Sequence, residues 1–186
     1  VKQASDVRTG DVLLINDEIF KVEETEAKGA AKTHKTIHLK MRNILTGKHM
    51  EHTYQQEDKL EQADVTHKKA LYSYKDSDTC CFLDEETYET YAVDEKIIGE
   101  KRVFLKENEK YIVVLYEERP IDLIFPERIT LRVSTSPPPI KQHDAATYKK
   151  ITLENGMTVD APQFIEESDI VEIDTGTGKY IDRVQE

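Results

Sequence analysis

Apolar residues in this chain recur at every second position, in runs too short for helices and separated by turn-forming residues. In Ile37-His38-Leu39-Lys40-Met41-Arg42 three apolar residues alternate with three cationic ones. Successive side chains on a strand point to opposite faces, so this segment buries Ile37, Leu39 and Met41 and turns His38, Lys40 and Arg42 to solvent. The same texture marks Asp11–Ile15, Glu18–Glu23, Leu71–Tyr74, Cys80–Leu83, Tyr111–Tyr116, Ile121–Phe125, Ile129–Val133, Ile170–Ile173 and Tyr180–Val184. Between them lie Asn16-Asp17, Thr46-Gly47, Asp76-Ser77-Asp78, Glu154-Asn155-Gly156 and Gly176-Thr177-Gly178. Only Val93–Gly99 reads as a helix, with Asp94 near its start and Gly99 at its stop. Short strands with frequent turns predict an all-β chain of small barrels, which close their own edges, rather than parallel α/β units.

Two seams divide the pattern. The polar run Gln55–Gln62 follows the first strand set, and alternation restarts at Val65; Phe125-Pro126-Glu127 ends the second set. Ser134–Pro139, with its three prolines, reads as a stiff loop inside the third unit. The expected units are therefore 1–62, 63–128 and 129–186, each near the lower size limit of an independent fold.

Charge narrows the function. The formal net charge is −11, so attraction of the whole molecule to polyphosphate is excluded as a binding strategy. Yet the stretch 28–52 carries Lys28, Lys32, Lys35, Lys40, Arg42 and Lys48 against a single acid, Glu51. Such a run is either a solvated lysine face or a local field that presents one side to an anion. The connection Ala27–Lys35 has no large apolar residue to tie it down, so it should project with a lysine exposed. The two cysteines are adjacent, Cys80-Cys81, which rules out a disulfide framework and suits a reducing compartment. Alternation would send one thiol inward and one outward.

Chemical motifs are absent. His34 and His38 have the spacing of paired ligands on a helix, but alternation makes their segment a strand, and no metal site is expected. Gly176-Thr177-Gly178 lacks the glycines and following helix of a phosphate loop, and there is no nucleophile elbow. No catalytic residue is assigned, and the chain is not expected to be an enzyme. Tyr72, Tyr74, Tyr111, Tyr116 and Tyr180 fall on strand patterns, as half-buried sheet residues or as stacking platforms for bases. No apolar run approaches the ~20 residues of a membrane span.

The order of several short matches resembles bacterial translation elongation factor P. Leu45-Thr46-Gly47, Glu51 and Thr53-Tyr54 are similar to the end of that family's first unit, and Ala63-Asp64-Val65 to the start of its second. Phe82-Leu83, Glu86-Thr87-Tyr88-Glu89, Ile98-Gly99 and Phe104-Leu105 follow in order. Lys149, Gly156, Val159, Pro162 and Ile165 occupy positions of the C-terminal signature; Asp174-Thr175, Gly178, Tyr180, Arg183 and Val184 resemble its last strand.

The resemblance implies three β-barrels in an L-shaped array, an SH3-like (KOW-like) barrel followed by two OB-fold barrels. It implies binding to the ribosome beside the peptidyl-tRNA, with relief of stalling at consecutive prolines. Counting back from Thr46-Gly47 puts Lys32 at the loop tip, the position that most of the family enlarges by modification; Lys28 is the alternative tip. The family's usual Pro-Gly-Lys-Gly is here Ala30-Ala31-Lys32-Thr33-His34, and Lys141-Gln142-His143-Asp144 stands where the third unit often carries Gly-Asp. Lys32 would position the tRNA 3′ end, while Lys35, His38, Lys40, Arg42, Lys149 and Arg183 would contact nucleic acid. The expected partners are rRNA, ribosomal proteins, peptidyl-tRNA and a lysine-modifying enzyme, with no cofactor, no membrane and a monomeric state. A cytoplasmic home is expected, or an organelle stroma or matrix, since the chain opens at Val1 as a trimmed copy would. The alternatives are a single-stranded RNA-binding module and a protein-interaction scaffold.

Overall fold

Alternating runs become antiparallel strands in the computed structural model, which describes residues 1–29, 35–139 and 147–184. The first sheet contains β1 (Lys2–Gln3), β2 (Val12–Ile15), β3 (Glu18–Lys28), β4 (Thr36–Asn43), β5 (His49–Gln55) and β6 (Lys59–Gln62), in the order β1-β6-β2-β3-β4-β5. The second holds β7 (Val65–Asp76), β8 (Thr79–Leu83), β9 (Thr90–Asp94), β10 (Lys110–Tyr116) and β11 (Arg119–Ile124), in the order β11-β10-β7-β8-β9. The third holds β12 (Arg128–Thr135), β13 (Tyr148–Leu153), β14 (Thr158–Pro162), β15 (Ile170–Asp174) and β16 (Tyr180–Val184), in the order β14-β13-β12-β15-β16.

The expected barrels, SH3-like and OB-fold alike, are not what forms. Among the described residues each sheet is open, with two end strands that hydrogen-bond on one side only. Closure was inferred as the way to hide edges, but this chain blunts them by other means. β1 is two residues long, β5 is almost wholly polar, and β11 and β14 carry Pro120 and Pro162. Short, charged or proline-bearing edges resist further pairing without closure.

Contacts group the chain into two compact units. The first comprises residues 1–68 with 113–122. Neighbouring residues on β2 and β3 go to opposite faces: Leu13, Phe20 and Val22 join Ile37, Leu39, Met41 and Leu60 on one side. On the other, Val12 and Ile19 meet Ala63, Val114 and Ile121, where Lys21 Nζ lies 2.5 Å from Asp122. The second unit comprises 69–112 with 123–186. Tyr72, Phe82, Tyr111 and Phe125 form a chain of tilted and edge-on rings, and the Tyr111 hydroxyl donates to the Phe104 carbonyl while accepting from the Lys106 amide, both at 2.9 Å. In the third sheet Leu131, Val133, Ile151, Leu153, Val171 and Ile173 are buried.

Local departures have local causes. The helix is confined to Glu95–Ile98 (α1), because Val93 is buried at the end of β9 and the Asp94 carboxylate caps the helix by accepting from the Lys96 amide. Gly99, with φ +65°, ends it. Short 3-10 turns at Ala4–Asp6 and Gly99–Phe104 had no periodic signal. Cys80 and Cys81 are both buried, against the expectation of one outward thiol, because β8 is covered on both faces, as the burial of the consecutive residues Cys80, Cys81 and Phe82 shows. Ser134 and Thr135 extend β12, and the proline segment is tied to the connection between β14 and β15 by Ser136 Oγ donating to the Ile165 carbonyl at 2.7 Å. No described helix is long and apolar enough to cross a membrane.

Candidate nucleic-acid interface

β4 alternates as its sequence requires: Ile37, Leu39 and Met41 are buried, while His38, Lys40 and Arg42 remain partly exposed on the other face. Its neighbours determine what that cationic row can do. Along β3 the pairing runs Lys21 to Arg42 and Val22 to Met41, slips by one, then resumes with Glu24 opposite Lys40 and Glu26 opposite His38. This β-bulge puts the consecutive residues Glu23 and Glu24 within reach of cations two apart on β4. Arg42 Nε donates to Glu23 Oε1 at 2.8 Å, and Lys40 Nζ lies 2.7 Å from Glu24 Oε2. On the β5 side, His38 Nε2 is 3.3 Å from Glu51 Oε2 and its Nδ1 is 3.0 Å from Thr53 Oγ1.

The row is therefore engaged throughout, Arg42 and Lys40 in ion pairs and His38 in contact with Glu51 and Thr53. Lys40's hydrogen bond and charge hold the Glu24 carboxyl below its usual range, and Glu24 raises Lys40 in return. Both side chains are solvent-exposed, and pairs of this kind are weak and exchangeable. The excess of lysine in residues 28–52 was real, but the acids that answer it lie just outside that window, in Glu23-Glu24-Thr25-Glu26. The sequence signal was available: two runs on either side of one loop face each other if the loop closes a hairpin.

The β3–β4 ladder extends to the pair Lys28–Thr36, with Thr36 Oγ1 donating to the Lys28 carbonyl at 3.4 Å. Lys28 thus ends β3, and its ammonium sits 3.0 Å from Glu26. Lys32 lies outside the described residues. Lys35 is exposed beside Thr36, and Lys48 is exposed in the turn before β5; among the described residues neither forms a salt bridge.

Lys149 and Arg183 belong to the third sheet. Lys149 is only 8% exposed and donates from Nζ to the Pro137 carbonyl at 2.7 Å. Arg183 lies over the Phe164 ring, 5.3 Å from its centroid, with Nη1 3.6 Å from Asp169. Nearby, a cleft of about 700 Å³ is lined by Tyr148, Pro162, Phe164, Lys179, Tyr180 and Asp182, a grouping the sequence did not reveal. The Gly176–Gly178 turn is held by Asp174, whose carboxylate accepts from the Gly176 and Thr177 amides at 2.8 Å. No group of histidine, cysteine and acidic side chains that could hold a metal occurs among the described residues.

Charged side chains are arrayed on sheet faces and engaged mainly with one another. Three family models match successive stretches of this chain: the elongation factor P KOW-like domain over residues 3–60, the elongation factor P OB domain over 65–123 and the elongation factor P C-terminal domain over 129–183. Elongation factor P of Bdellovibrio bacteriovorus is 31% identical over 185 residues, 99% of this chain and 98% of that protein. The Pectobacterium atrosepticum protein of the same name is 33% identical over 183 residues, covering 98% and 97%. That of Kosmotoga olearia is 34% identical over 182 residues, covering 97% and 98%. The chain belongs to the bacterial elongation factor P family, whose members are non-catalytic factors of translation elongation.

Proposed function

We propose that this protein binds the ribosome beside the peptidyl-tRNA and promotes peptide-bond formation where synthesis stalls at consecutive prolines. Proline is a stiff and poor acceptor, so the reacting ends are seldom aligned. Holding the tRNA 3′ end in near-attack geometry recovers rate by orientation, without an acid or base from the protein. Lys32 is the positioning group and the residue a modifying enzyme would enlarge; its ammonium can donate to phosphate and sugar oxygens. Lys35 and the β4 row accompany it, and Arg183 contacts nucleic acid from the third sheet. Residues 1–62, 63–128 and 129–186 are the functional units of a cytoplasmic monomer.

One observation supports this reading above the others. The hairpin is paired out to Lys28–Thr36, and Lys32 is the middle residue of the connection 29–35 that joins its strands. The test is a polyproline reporter translated with wild-type protein and with Lys32→Ala. Loss of relief with an unchanged melting curve is expected; equal relief removes Lys32 from the mechanism. Sedimentation with ribosomes at two salt concentrations separates this role from a free RNA-binding module, which needs no ribosome, and from a protein scaffold, which shows no salt-sensitive RNA binding. The pairing of the β4 cations weighs against the free module.

A further inference from the structure

We propose that Glu23, Glu24 and Glu26 are specificity-determining residues, acting as internal competitors that keep the first sheet from binding RNA at large. The proposal rests on the reading that this cationic side meets nucleic acid. Three of the cations in 28–52 are held by β3 glutamates: Arg42 by Glu23, Lys40 by Glu24 and Lys28 by Glu26, at 2.8, 2.7 and 3.0 Å. Glu23 also reaches His49 Nδ1 at 3.2 Å, and Glu51 takes His38.

A phosphate approaching this face gains each contact only by displacing a carboxylate already there. The exchange is nearly neutral for an arbitrary strand, because one exposed ion pair replaces another. A cation matched by a fixed carboxylate also contributes little to counterion release, which drives non-specific binding. Among the described residues, free positive charge in this stretch is left at Lys35 and Lys48, and Lys35 adjoins the connection between β3 and β4. The face therefore rewards a partner that engages the loop end first and takes the row afterwards.

Cross-strand pairs also support strand pairing, which is the simpler role for these glutamates. The two roles part in a binding measurement. Fluorescence anisotropy with a labelled oligouridylate, from 50 to 200 mM salt, compares the full chain with E23Q/E24Q and with E57Q/E61Q. Glu57 and Glu61 are exposed acids of the same unit that form no salt bridge among the described residues, so their variant makes the same change in net charge. Freeing Arg42 and Lys40 should tighten binding about tenfold at low salt. It should also steepen the slope of log affinity against log salt by roughly 1.4, at ~0.7 for each phosphate contact on a single strand. Adding Lys40→Met and Arg42→Met should restore the wild-type slope, and E57Q/E61Q should match wild type.

Identical slopes for wild type and a folded E23Q/E24Q overturn the proposal, as does equal tightening by E57Q/E61Q. If circular dichroism shows the double variant unfolded, Glu24→Gln alone carries the test with a slope change of roughly 0.7. The oligouridylate assay contains no ribosome, so a polyproline reporter that gains nothing from the wild-type protein, together with a steepened slope, would refute the stalling role and leave this inference standing.

Discussion

Lys40 on β4 and Lys149 on β13 both sit on sheet strands, yet one ammonium meets a carboxylate at the surface and the other, on a buried side chain, a backbone carbonyl. Lys40 can trade Glu24 for another anion at little cost. Lys149 is buried, and the Pro137 carbonyl is its hydrogen-bonding partner. Arg183 lies between these cases, with an aromatic face beneath it and an acid at its edge. A cation's availability thus follows the face of the strand it stands on: Lys40 alternates with buried Leu39 and Met41, whereas Lys149 shares the buried phase of Ile151 and Leu153. Of the two third-sheet cations proposed from sequence for nucleic-acid contact, Arg183 retains exposed surface for it, whereas Lys149 is committed to holding the proline segment.

The contrast is sharpest in stability. Lys149→Met leaves the Pro137 carbonyl without its donor and should lower unfolding free energy by about 1–3 kcal/mol in urea titrations, nearly independent of salt. A cost that disappears at high salt would put Lys149 in the exchangeable class. Arg183→Gln removes the contact with Phe164 and should cost about 0.5–1 kcal/mol by the same titration. No loss at all would make that stacking incidental.

Glu24→Gln should give the smallest effect, a slight drop in melting temperature that added salt abolishes. Its pH dependence has a defined sign. Glu24 titrates below its usual 4.5 in the fold, so its contribution is present above that value and fades as pH falls through the lowered one. Lys40 titrates above its usual 10.5, so its contribution is present below that value and fades as pH rises through the raised one. The difference in melting temperature between wild type and Glu24→Gln should be flat between these limits and shrink beyond both. A difference that grew toward acid would contradict the pairing.

Much of the sheet framework was legible because apolar alternation marks a half-buried strand. Ile37–Arg42 is the clearest case, and every apolar residue in it is buried. β5 escaped notice because an edge strand needs little apolar content, and His49–Gln55 is polar throughout except Met50 and Tyr54; β6, between β1 and β2, was missed because Lys59–Gln62 has one apolar residue and lies inside a run read as a seam. β13 was obscured by Lys149-Lys150, which suggests a surface until the partner of Lys149 is known. The cationic row was read correctly as a row and incompletely as a site. Periodicity assigns a residue to a face, but the opposing charges come from a different strand, and register decides which ones arrive.

The slip between Val22 and Glu24 is a one-residue phase correction. Without it the pairing after Val22–Met41 would continue with Glu23 opposite Lys40, Glu24 opposite Leu39 and Glu26 opposite Ile37, turning two carboxylates toward the apolar interior. The hairpin's charge pattern is thus vulnerable to a change in chain length as well as to a change of residue. Because β3 uses one residue more than β4 at the slip, loss of a single codon within 23–25 would straighten the ladder and leave the outer half in its present phase, whereas gain of one would demand a second slip or turn carboxylates inward.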